Sequence, residues 1–435
     1  MLNPEKDYGL GTLALHAGHD VDADTLSRAV PIYATTSYLF KDTDHAANLF
    51  ALKEFGNIYS RLMNPTCDVL EKRMAALDGG AAALAFASGM AAITAAITNI
   101  AHSGQNFISS SSLYGGTHTL FAHTLKAQGI ETRWFDPDKP EQIAELADAD
   151  TRCVYIEACG NPKNDIPDFQ AVAKAAHQIG VPLIVDNTVM TPALLKPIQH
   201  GADIVVYSTT KFIGGHGTHV GGMIVDSGNF PWTDNRDRWP EFCHPDESYH
   251  GLVFADALAE IGNIAYIIRA RTHVLRDTGA AMSPFAAFLF LLGLETLHVR
   301  MPVHSENARK VAAWLSEHPA VEWVNHPSLG DHPYHQRARQ YLPDGVGAII
   351  GFGIKGGRAA GVKFIENVHL ASHLANIGDA KTLVIHPAST THQQLSDEDK
   401  AATGVTDEYI RLSVGIENVE DIIADLDAGL KASQA

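Results

Sequence analysis

The stretch "VPLIVDNTVMTPALLKPIQHGADIVVYSTTK", Val181 to Lys211, holds two short apolar runs that each stop abruptly in polar residues. The first, Leu183 to Val185, stops at Asp186; the second, Ile204 to Tyr207, stops at Ser208, Thr210 and Lys211. Runs this short and this uniformly apolar predict strands covered on both faces, the habit of a parallel sheet flanked by helices. A lysine that ends such a strand is ordinarily a solvated charge, so its neighbours decide its meaning.

The same alternation extends in both directions. "NFISSS", "ETRWFD", "CVYIEA" and "GGMIVD" read as further strands. "THTLFAHTLKAQG", "PEQIAELADA" and "PDFQAVAKAAHQIG" read as the helices between them. This predicts βαβ units and a mainly parallel sheet. After about Gly279 the pattern changes to an apolar helix "PFAAFLFLLGLETL", a long amphipathic helix around "HSENARKVAAWLSEH", strand-like "GAIIGFGI", helix "GRAAGVKFIENV" and the tail "DEYIRLSVGIENVEDIIADLDAGLKA". The expected organisation is therefore an arm over residues 1–60, a large α/β domain over 61–280 and a smaller α+β domain over 281–435.

Composition narrows the class. The 435 residues are 46% hydrophobic, enough for a sizeable interior. Lys+Arg number 32 against 50 Asp+Glu, a net charge of -18 that repels nucleic acid and anionic lipid. The uncharged run Ala81 to Ala101 is about as long as a membrane span, but its Ala, Thr, Ser and Gly gain little from lipid, and a buried helix behind a strand-like or turn segment is expected instead. The four cysteines, Cys67, Cys153, Cys159 and Cys243, show no C-x-x-C spacing, and the charged opening residues lack a signal-peptide core. A cytoplasmic protein is expected.

In open parallel sheets ligands bind beyond the carboxyl ends of the strands. Four strands deliver Tyr114, Asn161, Asp186 and the Ser208–Thr210–Lys211 group to that edge. Each alone has a plain structural reading: turn packing for Tyr114 before two glycines, a turn for Asn161-Pro162, a helix cap for Asp186, a solvated charge for Lys211. Together they are the set that pyridoxal 5'-phosphate (PLP) needs: an amine for a Schiff base, a carboxylate for the pyridine nitrogen, an aromatic to stack and hydroxyls for a phosphate ester. "ASGMAA", at Ser88, Gly89 and Met90, adds a helix N-terminus suited to that phosphate. The glycines after Lys211 match no nucleotide loop. His216, His219, His244 and His250 lie in a glycine-rich loop and beyond it without a ligand spacing, so no metal is expected.

These residues resemble the PLP-dependent enzymes of cysteine and methionine metabolism, the trans-sulfuration or γ-synthase and γ-lyase group, over essentially the whole chain. The motifs that carry the resemblance are "YSRLMNPT", "ASGMAA", "SSLYGGT", "GNP", "VDNT", "STTKFIGGHG" and "RLSVGIE". "SYHG", "NIGDAKTLVIHPASTTHQQL" and "LGLETLHVRMPVHSENA" resemble the O-acetylhomoserine sulfhydrylases in particular. The resemblance implies an aspartate-aminotransferase-like (fold type I) architecture and a homotetramer built as a dimer of dimers. It implies that Lys211 forms the Schiff base, that Asp186 partners the pyridine nitrogen, and that Tyr114 stacks on the ring. Gly89, Met90, Ser208 and Thr210 match the phosphate cup, and Tyr59 and Arg61 match residues that reach the neighbouring subunit's phosphate. Arg411 matches the grip on the substrate carboxylate, assisted by Asn161 and Asn376.

The implied reaction is O-acetyl-L-homoserine plus sulfide giving L-homocysteine and acetate, within methionine and cysteine biosynthesis. Lys211 is the implied base, and Tyr114 and Tyr59 are both placed to shuttle protons. Methionine γ-lyase or cystathionine γ-synthase chemistry on the same scaffold, or a PLP carrier without catalysis, are the alternatives. The acyl group, the homoserine or serine skeleton and the sulfur nucleophile stay open. The chain departs from the common pattern at Thr209, where alanine is commoner, at Met90, where several relatives have glutamine, and at Cys67 and Cys159.

Overall fold

The computed structural model describes residues 2–3, 6–160, 163–390 and 406–435. The apolar runs of the first half form seven strands: β1 Ala82–Phe86, β2 Asn106–Ser110, β3 Glu131–Phe135, β4 Thr151–Glu157, β5 Leu183–Asp186, β6 Ile204–Tyr207 and β7 Gly222–Asp226. They lie in the order β1-β7-β6-β5-β4-β2-β3. The pairs β6–β5, β5–β4, β4–β2 and β2–β3 are parallel, and only β7 runs antiparallel to its neighbours β1 and β6.

Period-two alternation places the side chains of one strand in two different cores. On β6, Val205 and Tyr207 face one apolar cluster while Ile204 and Val206 face the other. Both faces are dry, which is why the strand reads as an unbroken apolar run. One cluster holds the helix Gly89–Thr98 with Ala92, Ile93 and Ala96; the other holds Pro65–Asp78 and Phe169–Gln178. The uncharged run at 81–101 thus divides into β1 and the helix Gly89–Thr98, both packed inside the protein. Among the described residues no single helix is long and apolar enough to cross a membrane.

Local signals set the helix ends. Asn64 accepts from the Thr66 backbone N–H at 3.0 Å, Pro65 opens the helix and Gly79, at φ +76°, closes it. The Asn-Pro of "YSRLMNPT" is therefore a cap, and Asp168 does the same for Phe169–Gln178 through the Ala171 N–H at 3.1 Å. The expected helix over "PEQIAELADA" shrinks to Gln142–Leu146, and the helix from Gly115 passes into a π-turn over Leu120–Leu125.

A second sheet follows, with β8 Val321–Asn325, β9 Ile349–Ile354, β10 Ser372–His373, β11 Leu383–Ile385 and β12 Tyr409–Ser413 in the order β10-β11-β12-β9-β8. Its pairs are antiparallel apart from β10–β11. The helices Pro284–Glu295 and Leu297–Glu317 join it to the first sheet through one continuous core containing Phe290, Leu294, Met301, Ile350 and Phe352. Within the first sixty residues, the short helix Leu10–His16 folds back on its own chain and buries Ala14.

Candidate active site

A cavity of about 290 Å³ opens where the carboxyl ends of β4, β5 and β6 meet the β11–β12 side of the second sheet. It is lined by Gly89, Met90, Tyr114, Asp186, Ser208, Thr210, Lys211, Asn376 and Arg411, and also by Glu157 and Cys159. The fold thus brings together nine of the twelve residues singled out from sequence. Tyr59 and Arg61 do not line it; both are exposed on the outside of the chain, with the Arg61 guanidinium 5.6 Å from the Tyr59 ring. Asn161 lies outside the described residues.

Lys211 answers the question its context raised. It is half-buried, and burial first, then the nearby Arg411 charge, lower its amine from 10.5 to about 8. Its Nζ donates to Asn376 Oδ1 at 2.5 Å. Asn376 also receives Arg411 Nη2 on its backbone carbonyl at 3.3 Å, so one residue joins the amine and the guanidinium. The loop carrying Asn376 packs directly on the lysine backbone. A Cβ at Gly378, whose φ is +76°, would stand 2.6 Å from the Phe212 nitrogen.

The glycines after Lys211 serve packing. Gly215, at φ +69°, donates its N–H to the Lys211 carbonyl at 2.8 Å, and a Cβ there would meet Arg300 Nη1 at 2.3 Å. Buried Arg300 donates to the carbonyls of Phe212 at 2.8 Å, Ile213 at 3.2 Å and Gly293 at 2.7 Å, pinning the loop. In the same loop His216 Nδ1 pairs with the Gly214 carbonyl at 2.7 Å. Among the described residues no group of three or more His, Cys, Asp or Glu is arranged to hold a metal.

Asp186 ends β5 beneath the cavity. Burial pushes its carboxyl up, while the Thr188 N–H at 2.9 Å and the Tyr155 hydroxyl at 3.3 Å hold it down by donating to its oxygens. A carboxylate so placed suits a ring N–H. Opposite, the helix Gly89–Thr98 begins at Ser88, whose Oγ accepts from Ala91 N–H at 3.0 Å. A Cβ at Gly89 would stand 2.6 Å from Ser208 Cβ, so glycine is what lets the helix start touch the Ser208 turn. The Ser208 N–H donates to Thr188 Oγ1 at 2.8 Å, and Thr210 Oγ1 bonds both backbone groups of Gly221. A helix N-terminus framed by two hydroxyl residues is a cradle for a phosphate. Amine, carboxylate, half-exposed aromatic and anion cradle in one cavity fit PLP.

Glu157, Arg300 and Asn376's link to Lys211 were not read from sequence. Only Glu157 left a signal, as the lone acid in "CVYIEA". Of the two unusual cysteines, Cys159 lines the cavity with its thiol pushed up by burial. Cys67 sits elsewhere, on Pro65–Asp78, donating to the Met282 carbonyl at 3.6 Å.

Known proteins resemble this chain over nearly its whole length. The chain is 53% identical over 426 residues to the O-acetyl-L-homoserine sulfhydrylase of Leptospira meyeri, covering 97% of this chain and 96% of that one. It is 52% identical to the homocysteine synthase of Schizosaccharomyces pombe, covering 99% of this chain and 100% of that one. A solved chain described as an O-acetylhomoserine (thiol)-lyase of Campylobacter jejuni, carrying N'-pyridoxyl-lysine-5'-monophosphate at its position 205, superposes with a TM-score of 0.93 at 42% identity, covering 98% of this chain and 100% of that one. Residues 11–431 match the family described as Cys/Met metabolism PLP-dependent enzyme, and the chain belongs to that family.

Proposed function

We propose that this enzyme replaces the acetate of O-acetyl-L-homoserine by sulfide, releasing L-homocysteine and acetate. The observation that carries the reading is the half-buried pair in the cavity: Arg411, an acid-binding fork, held through Asn376 next to an amine lowered to about 8. The relatives named for this reaction or its product match over nearly their whole length.

When bound, PLP supplies an aldehyde that captures amino groups and a ring that accepts the electron pair left by a departing proton. Lys211 would hold the aldehyde until the substrate's amino group displaces it and frees its amine, and Asp186 would hold the ring nitrogen's proton. Gly89, Met90, Ser208 and Thr210 would seat the phosphate, and Tyr114 would cover the ring. Arg411 grips the substrate carboxylate with two parallel N–H donors, a geometry lysine lacks. Neutral Lys211 Nζ takes a proton from the substrate carbon and returns it, reaching from its position on Asn376. Asn161 assists at the carboxylate, and Tyr114 or Tyr59 carries protons.

Tyr59 and Arg61 act in the cavity of a second copy, within a dimer of dimers. This reading is supported by their exposure and by neighbouring apolar side chains left uncovered, Leu39 at 98% and Phe50 at 59% exposed. The two sheets support a division at about residue 280, with the first sixty residues as an arm toward that copy. Four buried, unpaired cysteines support a cytoplasmic home.

The test is to mix purified protein, PLP and O-acetyl-L-homoserine with and without sulfide. Homocysteine formed only with sulfide supports the proposal. A 2-oxo acid formed equally in both would assign a lyase instead.

A further inference from the structure

Glu157 is costly where it stands. It ends β4, a strand otherwise without acid, and is only 7% exposed. It lies directly across from Asp186 in the β4–β5 register, so two carboxyl groups sit side by side at the cavity floor. Packing alone would favour an apolar residue at such a site. What Glu157 does instead is accept the Tyr114 backbone N–H on Oε1 at 2.7 Å, a bond that spans from β4 to the turn after β2. Tyr114 is the residue before the helix Gly115–Thr119, where a backbone N–H has no helical partner. Its ring is confined on the other side by Gly116: a Cβ there would stand 2.6 Å from Tyr114 Cε1.

We propose that Glu157 is a positioning residue that acts through Tyr114, anchoring the turn so that the ring lies over the cavity. The inference rests on the PLP reading of this site. Burial and the Asp186 charge push Glu157 well above the carboxylate range, with Asp165 adding to the push. Burial pushes Asp186 up as well, while Thr188 and Tyr155 hold it down by donating to its oxygens. Glutamine has nearly the same shape and keeps the acceptor at that position. Aspartate keeps the acid but is one methylene too short, and alanine offers no acceptor.

The experiment strips the protein of cofactor and titrates it with PLP, following visible absorbance and thermal melting. If wild type takes up no PLP, the reading of the site fails before this inference is tested. Given wild-type binding, Glu157→Gln should stay within about twofold of the wild-type Kd. Glu157→Ala and Glu157→Asp should bind about tenfold more weakly, the worth of one well-placed aromatic contact. In a Tyr114→Ala background, Glu157→Ala should add no further loss, because the two act as one unit. If the alanine variant does not fold, the Gln and Asp variants decide. The inference is overturned if Glu157→Asp matches wild type, if Glu157→Gln falls as far as Glu157→Asp, or if Glu157→Ala costs the same factor without Tyr114 as with it.

Discussion

Replacing Arg411 by methionine should make Lys211 a poorer base, and the structure says by how much. Two causes lower the lysine from 10.5 to about 8, burial being the larger and the Arg411 charge the smaller. At pH 7.5 an amine at 10.5 is neutral in roughly one molecule in a thousand, and one at 8 in roughly one in four. The cavity therefore enriches the reactive form by ~250-fold. Since Arg411 supplies less than half of the drop, Arg411→Met should raise Lys211 by no more than about one pH unit, which cuts the neutral fraction at pH 7.5 by up to about eightfold. This loss is separate from the proposed role of Arg411 in carboxylate binding. It can be read without turnover, by following acylation of Lys211 in cofactor-free protein against pH and quantifying the modified peptide by mass spectrometry. Wild type should show a midpoint near 8, and the variant a midpoint between 8 and about 9. A wild-type midpoint near 10.5, or a variant midpoint that stays put or falls, would refute the electrostatic account.

Other consequences follow from the same contacts. Lys211 binds a proton less readily folded than unfolded, so its charge destabilises the cofactor-free fold below about pH 8 and ceases to do so as pH rises to 10.5. Lys211→Met should accordingly melt higher than wild type at pH 7, with the gap closing by about pH 10.5; a gap independent of pH would show that the amine is not the cause. Gly89→Ala places a methyl 2.6 Å from Ser208 Cβ and 3.0 Å from its Cα, so backbone must move. It should cost about 1–3 kcal/mol in urea unfolding and weaken inorganic phosphate and PLP binding together. Arg300→Lys keeps the charge but loses the fork that serves three carbonyls. It should lower stability by about 1–3 kcal/mol, and an unchanged urea midpoint would show that the loop needs no such clamp.

What could be read in advance, and what could not, follows from how far each interaction reaches along the chain. β5 and β6 announce themselves because both faces of a central strand are dry, so Leu183–Val185 and Ile204–Tyr207 must be apolar without interruption. The capping residues Asn64, Ser88 and Asp168 act within three positions and are equally visible. β8 is half-exposed and its Val-Glu-Trp-Val-Asn pattern matches its surroundings, while β11 has three residues, too few to establish a period. The site divides in the same way. Asp186 and Lys211 each stand at the end of their own strand, and strand ends on one edge of a parallel sheet necessarily converge. Arg411 and Asn376 come from the other sheet, and no local pattern says that a loop before β11 will lay its amide on a lysine after β6. Their place came from family likeness, and their geometry from the packing of Gly378 against the Lys211 backbone. Tyr59 and Arg61 are the extreme case: within their own chain Arg61 lies against the Tyr59 ring and donates to the Arg276 carbonyl, and none of these contacts points to the cavity. A residue's legibility therefore falls with the sequence distance to whatever it touches, and a buried acid such as Glu157 is legible only as an unexplained cost.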